Sequence, residues 1–212
     1  SVVTYTGTGA NATVGHGLGV APKMVIVKSR SSAQSWPVGH SSLTSWAYNL
    51  ALDLTSAQTS NPTVFNSTAP TSSVFSVGTN VVINQSTVTY VAYCWSEVAG
   101  YSKFGSYTGN GSADGPFVYC GFRPRFVMIK DATTGTTNWI IHDTSRDTFN
   151  LVVDVLAPNT SAAESVYSAP NGIDILSNGF KIRVAGSPVN ISGDTHIYAA
   201  FAENPFNISR AR

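Results

Sequence analysis

Between Trp46 and Leu54 every second position is apolar. Trp46, Tyr48, Leu50, Leu52 and Leu54 fall on one side, Asn49 and Asp53 on the other. Successive side chains of a strand point to opposite faces, so a period of two predicts a strand with one buried face. The pattern returns with Phe149, Leu151, Val153 and Val155 facing inward and Asn150 and Asp154 outward. Met24-Val25-Ile26-Val27 and Phe126-Val127-Met128-Ile129 are apolar on both faces, which predicts central strands covered on both sides. Pro22 and Pro124 sit just ahead of them, where a missing N–H does least harm. Further strands are expected at Phe75–Val77, Phe180–Ile182, Tyr90–Trp95 and His196–Phe201. Polar turn clusters separate these runs at intervals of roughly ten residues, as in a sandwich or barrel. Ala157–Glu164 reads as a turn or short helix, with a similar stretch at Thr55–Gln58, and no long amphipathic helix appears.

The strands come in two sets. Tyr5-Thr6-Gly7-Thr8-Gly9 returns as Tyr107-Thr108-Gly109-Asn110-Gly111, and Ala21–Lys28 returns as Arg123–Lys130. Asn84 and Trp95-Ser96-Glu97 are echoed by Asn190 and Phe201-Ala202-Glu203, at an offset of about one hundred residues. The expected architecture is all-β: two similar β-sandwich (jelly-roll-like) units, residues 1–102 and 103–212, arising from an internal duplication. The junction near Gly100–Gly105 is short and carries Tyr101 and Phe104, unlike a flexible tether, so the units are expected to pack together as one body.

Composition agrees with this picture. Only 11% of the 212 residues are charged, and Ser, Thr, Asn and Gly make up most of the polar balance. A net charge of +1 argues against a nucleic-acid partner, which demands a basic face to neutralise phosphates. No apolar run approaches the ~20 residues of a membrane span, so no membrane insertion is expected. Ser1-Val2-Val3-Thr4 has no basic segment followed by an apolar one, so no secretory leader is visible there. Cys94 and Cys120 are matched by Ala200 and Leu18 in the other half, which suits two buried free thiols better than a disulfide. Two distant cysteines give no zinc pattern, and no metal or other cofactor is expected.

Two aromatic–histidine pairs stand out: Trp36 with His40, and Trp139 with His142. An indole stacks on the apolar face of a sugar and an imidazole bonds its hydroxyls, so these four are candidate carbohydrate-binding residues. The spacing differs, four residues in one pair and three in the other, so either a bulge intervenes or the pairs do different jobs. The alternative is that both tryptophans are core or edge residues with a satisfied N–H. His142-Asp143-Thr144-Ser145-Arg146-Asp147 collects the residue types of a hydrolase triad, but adjacency in one loop gives the wrong geometry. Asp53 and Asp154 recur as outward acids, which reads as a solvated face or turn partners rather than a pair flanking a glycosidic bond. The glycines of Thr6–Gly9 and Gly15–Gly19 precede no helix and are turn residues, not a phosphate loop. Asn-x-Ser/Thr triplets at Asn11, Asn66, Asn84, Asn110, Asn159, Asn190 and Asn207 have meaning only in a secretory setting. No catalytic residues are assigned and no enzyme is expected.

His16–Lys28, Tyr107–Ser112, Gly121–Lys130 and the closing Ala199–Phe206 resemble a repeat domain of uncharacterised type found in tail-fibre-like and other virion structural proteins of bacteriophages, notably marine ones. The resemblance spans nearly the whole chain and rests on turns and core strands. It implies a β-rich module displayed on a virion, outside the cell. Its expected partners are other virion proteins and host cell-surface polysaccharide, with a homotrimer plausible for a fibre. Two roles follow from the resemblance: a tail-fibre or appendage module that adheres to host carbohydrate, or a capsid decoration or passive assembly module that binds no ligand.

Overall fold

The doubly apolar runs at Met24 and Phe126 become strands with a partner on each side. In the computed structural model, which describes residues 1–166, 172–186 and 188–204, the chain divides into two compact units between Ser96 and Glu97. That division falls just ahead of the Gly100 junction. Pro205 and Phe206 of the closing motif and the Asn207 triplet lie outside the described residues.

The first unit contains β1 (Val2–Thr6), β2 (Ala12–Gly15), β3 (Met24–Ser29), β4 (Pro37–His40), β5 (Tyr48–Ala51), β6 (Thr59–Ser60), β7 (Val74–Val77), the single-turn α1 (Val81–Asn84) and β8 (Thr89–Trp95). One sheet runs β1-β8-β3-β4-β5-β6 and a second pairs β2 with β7. Val25, Val27, Tyr90, Ala92 and Cys94 of the first sheet face Phe75 and Val77 of the second, and Ile83 of α1 joins them. Because β3 and β8 alternate, one side of each strand supplies this core.

The second unit contains β9 (Ser102–Thr108), β10 (Phe117–Tyr119), β11 (Pro124–Asp131), β12 (Ile140–Asp143), β13 (Asp154–Val155), β14 (Ser165–Val166), β15 (Ile173–Leu176), β16 (Gly179–Ile182) and β17 (Thr195–Ala202). One sheet runs β9-β17-β11-β12, another β10-β16-β15, and β13 pairs with β14. Every pairing in both units is antiparallel. The core lies between the two larger sheets: Val127, Ile129, Tyr198 and Ala200 against Val118, Ile173, Ile175, Phe180 and Ile182. The strand order β9-β17-β11-β12 repeats β1-β8-β3-β4, and β10-β16 repeats β2-β7.

Each unit is anchored by one enclosed asparagine. Asn84 Nδ2 donates to the carbonyls of Ala10 (2.6 Å) and Gly78 (2.7 Å), and its Oδ1 accepts from Thr8 N–H at 2.8 Å. Asn190 Nδ2 donates to Ser112 and Val184 carbonyls (both 2.7 Å), and its Oδ1 accepts from Asn110 N–H at 2.9 Å. Turns that would otherwise bury unpaired backbone groups are thereby satisfied. The neighbouring glycines are sterically required. A Cβ on Gly7 would stand 2.1 Å from Gln85 O, and one on Gly109 2.1 Å from Ile191 O. Both asparagines are buried with their amides engaged, so a glycan on either would disrupt the turns it holds.

Two expectations need correction. The alternation from Trp46 does not run as one strand, since β5 ends at Ala51 and Leu54 is 45% exposed. In the second unit Phe149 is 81% exposed, and Val152, not Leu151 or Val153, enters the core. The cause is the Asn150 side chain. It donates to Ile175 O (2.9 Å) and accepts from Ile175 N–H (3.0 Å), taking the place of a backbone strand partner. Val152 then pairs both ways with Ile173, which sets the facing of the segment. Ala157–Glu164 forms a turn closed by Thr160 N–H to Ala157 O at 3.0 Å. Among the described residues the helical turn is α1, which Asn80 caps by accepting from Val82 N–H.

Candidate functional site

The four expected sugar contacts are largely inside the protein. Trp139 is 1% exposed, and His40 and His142 are 2% and 0% exposed. An enclosed ring has no face to offer a ligand, so these three pack rather than bind. Trp36 is half-buried, with the Lys28 ammonium 5.3 Å from its ring centroid. The two tryptophans hold matching places. Trp36 N–H donates to Asp53 Oδ1 and Trp139 N–H to Asn159 Oδ1, each at 3.0 Å. Asp53 is therefore a turn partner.

The histidines do not match each other. Met24 pairs across the ladder with His40, and Phe126 with Asp143. His40 Nδ1 accepts from Ser42 N–H at 3.1 Å, and Asp143 Oδ1 from Ser145 N–H at 2.7 Å. His142 stands where the first unit has Gly39, whose absent side chain leaves room for the Trp46 ring (2.4 Å from an added Cβ). No bulge is needed to explain the unequal spacing. His142 is held far below the ordinary range, at about 3, by burial first and then by the Arg146 guanidinium. The triad-like loop is an ion-pair cluster in which Arg146 bonds both Asp143 and Glu164.

An aromatic surface lies elsewhere, on the outward side of β10-β16-β15. In Phe117-Val118-Tyr119-Cys120 the odd positions face out and Val118 and Cys120 face the core. Phe117 is 46% and Tyr119 63% exposed, on a strand paired on one side only. Phe117 lies opposite Lys181, which lies opposite Asp174; Tyr119 lies opposite Gly179, which lies opposite Leu176. Lys181 Nζ meets Asp114 Oδ1 at 2.8 Å and donates to Gly115 O at 2.8 Å. Arg183 Nε lies 3.5 Å from Asp174 Oδ2. The bonds from Lys181 pull the Asp114 carboxyl below its ordinary value. Between Tyr119 and Leu176, Gly179 is buried and close to the β10 backbone, a Cβ there standing 2.1 Å from Val118 O. The corresponding positions of the first unit are small and carry no aromatic ring: Thr13 and Gly15 on β2, Val74 and the buried Ser76 on β7.

The second unit also has an open pocket of about 290 Å³ bounded by Thr136, Thr137, Asn138, Ile140, Val155 and Pro188, among others. Its described lining carries no ionisable side chain. Behind Thr137 the buried Lys130 Nζ donates to Thr137 Oγ1 (3.1 Å) and Asp131 O (2.6 Å), and burial pulls its ammonium down to about 8. Both cysteines are free and buried. Among the described residues no group of three or more His, Cys, Asp or Glu gathers to hold a metal.

Two antiparallel β units, one of them with an aromatic outer face, make this an all-β protein. The chain belongs to the family described as domain of unknown function DUF7483, which matches residues 1–205. No curated protein and no solved structure matches it.

Proposed function

We propose that this protein is a bacteriophage virion structural module, carried on a tail fibre or appendage, that contacts carbohydrate on the host surface. The resemblance of the repeated turns and core strands to virion repeat domains supplies the setting. The observation that carries the adhesive role is the exposed pair Phe117 and Tyr119, two residues apart on one side of an edge strand. Singly exposed rings such as Phe149 are ordinary, but two neighbouring exposed aromatics make a patch, and a rigid ring loses little entropy when a sugar stacks on it. Thr13 and Gly15 hold the matching places in the first unit, so the core pattern alone does not demand aromatics there. The first unit then serves as scaffold and the second as contact.

The test is saturation binding of the labelled full chain to intact bacteria, with extracted surface polysaccharide as competitor. The expected result is saturable, strain-selective binding, abolished by polysaccharide and weakened at least about tenfold, or 1.4 kcal/mol, by Phe117→Ala with Tyr119→Ala. Absence of binding to every strain, also by a trimerised form, would favour capsid decoration or passive assembly instead.

A further inference from the structure

We infer that the ligand of the β10-β16-β15 face is a neutral polysaccharide, gripped along an internal stretch of chain. The inference rests on the adhesive reading above and adds the ligand's charge and the mode of contact.

Charge decides the first part. The two cations of the face each have a carboxylate: Lys181 meets Asp114 and Arg183 meets Asp174. The four charges sum to zero. An anionic sugar that reached either cation would lie beside that cation's carboxylate, Asp114 or Asp174, and be repelled by it. Asp114 is the most exposed of the four, with 84% of its side chain in solvent, so the outermost charge repels an anion. A neutral sugar meets no such conflict. Its hydroxyls both donate and accept, and a paired cation and carboxylate present a donor and an acceptor side by side.

Geometry decides the second part. Phe117 and Tyr119 are two residues apart on one strand, so their attachment points are about 7 Å apart. They form a row of two platforms rather than a single stacking site. Beside Tyr119 stands the buried Gly179, close against the β10 backbone, and the half-buried Leu176 lies beyond it. An extended chain lies across such a face, whereas a chain end is recognised by enclosure in a pocket.

The experiment is affinity electrophoresis of the full chain through gels containing a neutral glucan, a galactomannan or an acidic polyuronate, at low and high salt. A whole-cell binding arm runs in parallel. Retardation is expected by at least one neutral polymer, changed less than about twofold by salt because no counterions are released. Free monosaccharide should compete at least about a hundredfold more weakly than the polymer. Phe117→Leu with Tyr119→Leu keeps the strand apolar but removes both rings, and should lose at least about tenfold in affinity. Thermal unfolding of that variant confirms that it is folded. Salt-sensitive, ring-dependent retention by the polyuronate alone would overturn neutral recognition while leaving surface adhesion standing. So would binding to cells with no neutral polymer able to compete. Neutral binding that survives loss of both rings would remove the ligand from this face. Failure to bind polymers and cells alike would overturn the adhesive reading itself.

Discussion

The rings of Tyr107 and His196 lie nearly parallel, centroids 5.1 Å apart and planes 9° apart, in the place where Tyr5 and Tyr90 stack at 5.1 Å and 13°. The phenols make the same bond, Tyr5 to Ile83 O at 2.6 Å and Tyr107 to Val189 O at 2.7 Å. The partners differ. Tyr90 donates to Val81 O, whereas His196 Nδ1–H donates to Asp194 O at 3.2 Å and its Nε2 finds no hydrogen-bond partner among the described residues. The second unit thus carries a titratable ring where the first has a phenol.

Acid should therefore destabilise the second unit. Burial lowers the His196 pKa against the opposing pull of Asp131, and burial holds His142 at about 3. The unfolded chain takes up protons on both rings below about 6.5 while the folded chain does not. More protons bound in the unfolded state means that stability falls as pH falls, by about 1.4 kcal/mol per pH unit for each ring until its folded pKa is reached. The unfolding midpoint in denaturant, followed from neutral pH to about pH 4, should fall steeply. His142→Asn should flatten the slope whatever it does to absolute stability; an unchanged slope would show that His142 takes its proton while folded.

Asn190 and Asn84 should be equally costly to remove. Each amide satisfies two carbonyls and one N–H, and truncation orphans one enclosed carbonyl, Val184 or Gly78, while the other two groups belong to exposed turn residues. With one enclosed carbonyl orphaned at about 1–3 kcal/mol and two solvent-accessible bonds lost besides, Asn190→Ala and Asn84→Ala should each lose roughly 2–4 kcal/mol in chemical denaturation. Asn190→Asp keeps the shape but turns a carboxylate toward the Val184 and Ser112 carbonyls, and should be no better than Ala.

These anchors were partly legible in the residues. The turns Tyr5–Gly9 and Tyr107–Gly111 and the two asparagines marked themselves by recurring, and the apolar runs at Met24 and Phe126 announced central strands. The aromatic face was legible too, since Phe117 and Tyr119 alternate with Val118 and Cys120. The tryptophan–histidine pairs obscured it, because residue type was read without burial. Residue type does not reveal that Trp139 is enclosed, nor that the place of His40 belongs to Asp143 in the other unit, because cross-strand register decides both. The inward facing expected of Phe149 failed for a different reason. A side chain, Asn150, pairs with backbone, and no hydrophobic period records that.

The two thiols should be inert in the folded protein. Burial raises Cys94 to about 11 and Cys120 to about 12, so the thiolate is scarce at neutral pH as well as enclosed. Titration with an aromatic disulfide reagent should proceed at least about a hundredfold more slowly in buffer than in denaturant, with two equivalents released on unfolding. Rapid native labelling of Cys120 would mean that the sheet holding β10 opens readily.

Moving the aromatic pair to the first unit separates stacking from hydroxyl recognition. Thr13 and Gly15 occupy the places of Phe117 and Tyr119, and both are exposed. A Cβ on Gly15 meets nothing nearer than Ser73 O at 3.9 Å, so Thr13→Phe with Gly15→Tyr fits without strain. Gly15→Tyr raises β propensity and Thr13→Phe keeps it, so the unfolding midpoint should hold or rise, by up to about 1 kcal/mol in stability. The neighbouring positions, the buried Ser76 and the half-buried Val74, offer no cation–carboxylate pair. Placed in a chain that also carries Phe117→Ala and Tyr119→Ala, the new pair should restore polymer retardation at an affinity at least about tenfold below the natural face. That gap, about 1.4 kcal/mol, measures what Lys181–Asp114 and Arg183–Asp174 contribute. Full restoration would mean that the rings alone recognise the chain and the paired charges are bystanders.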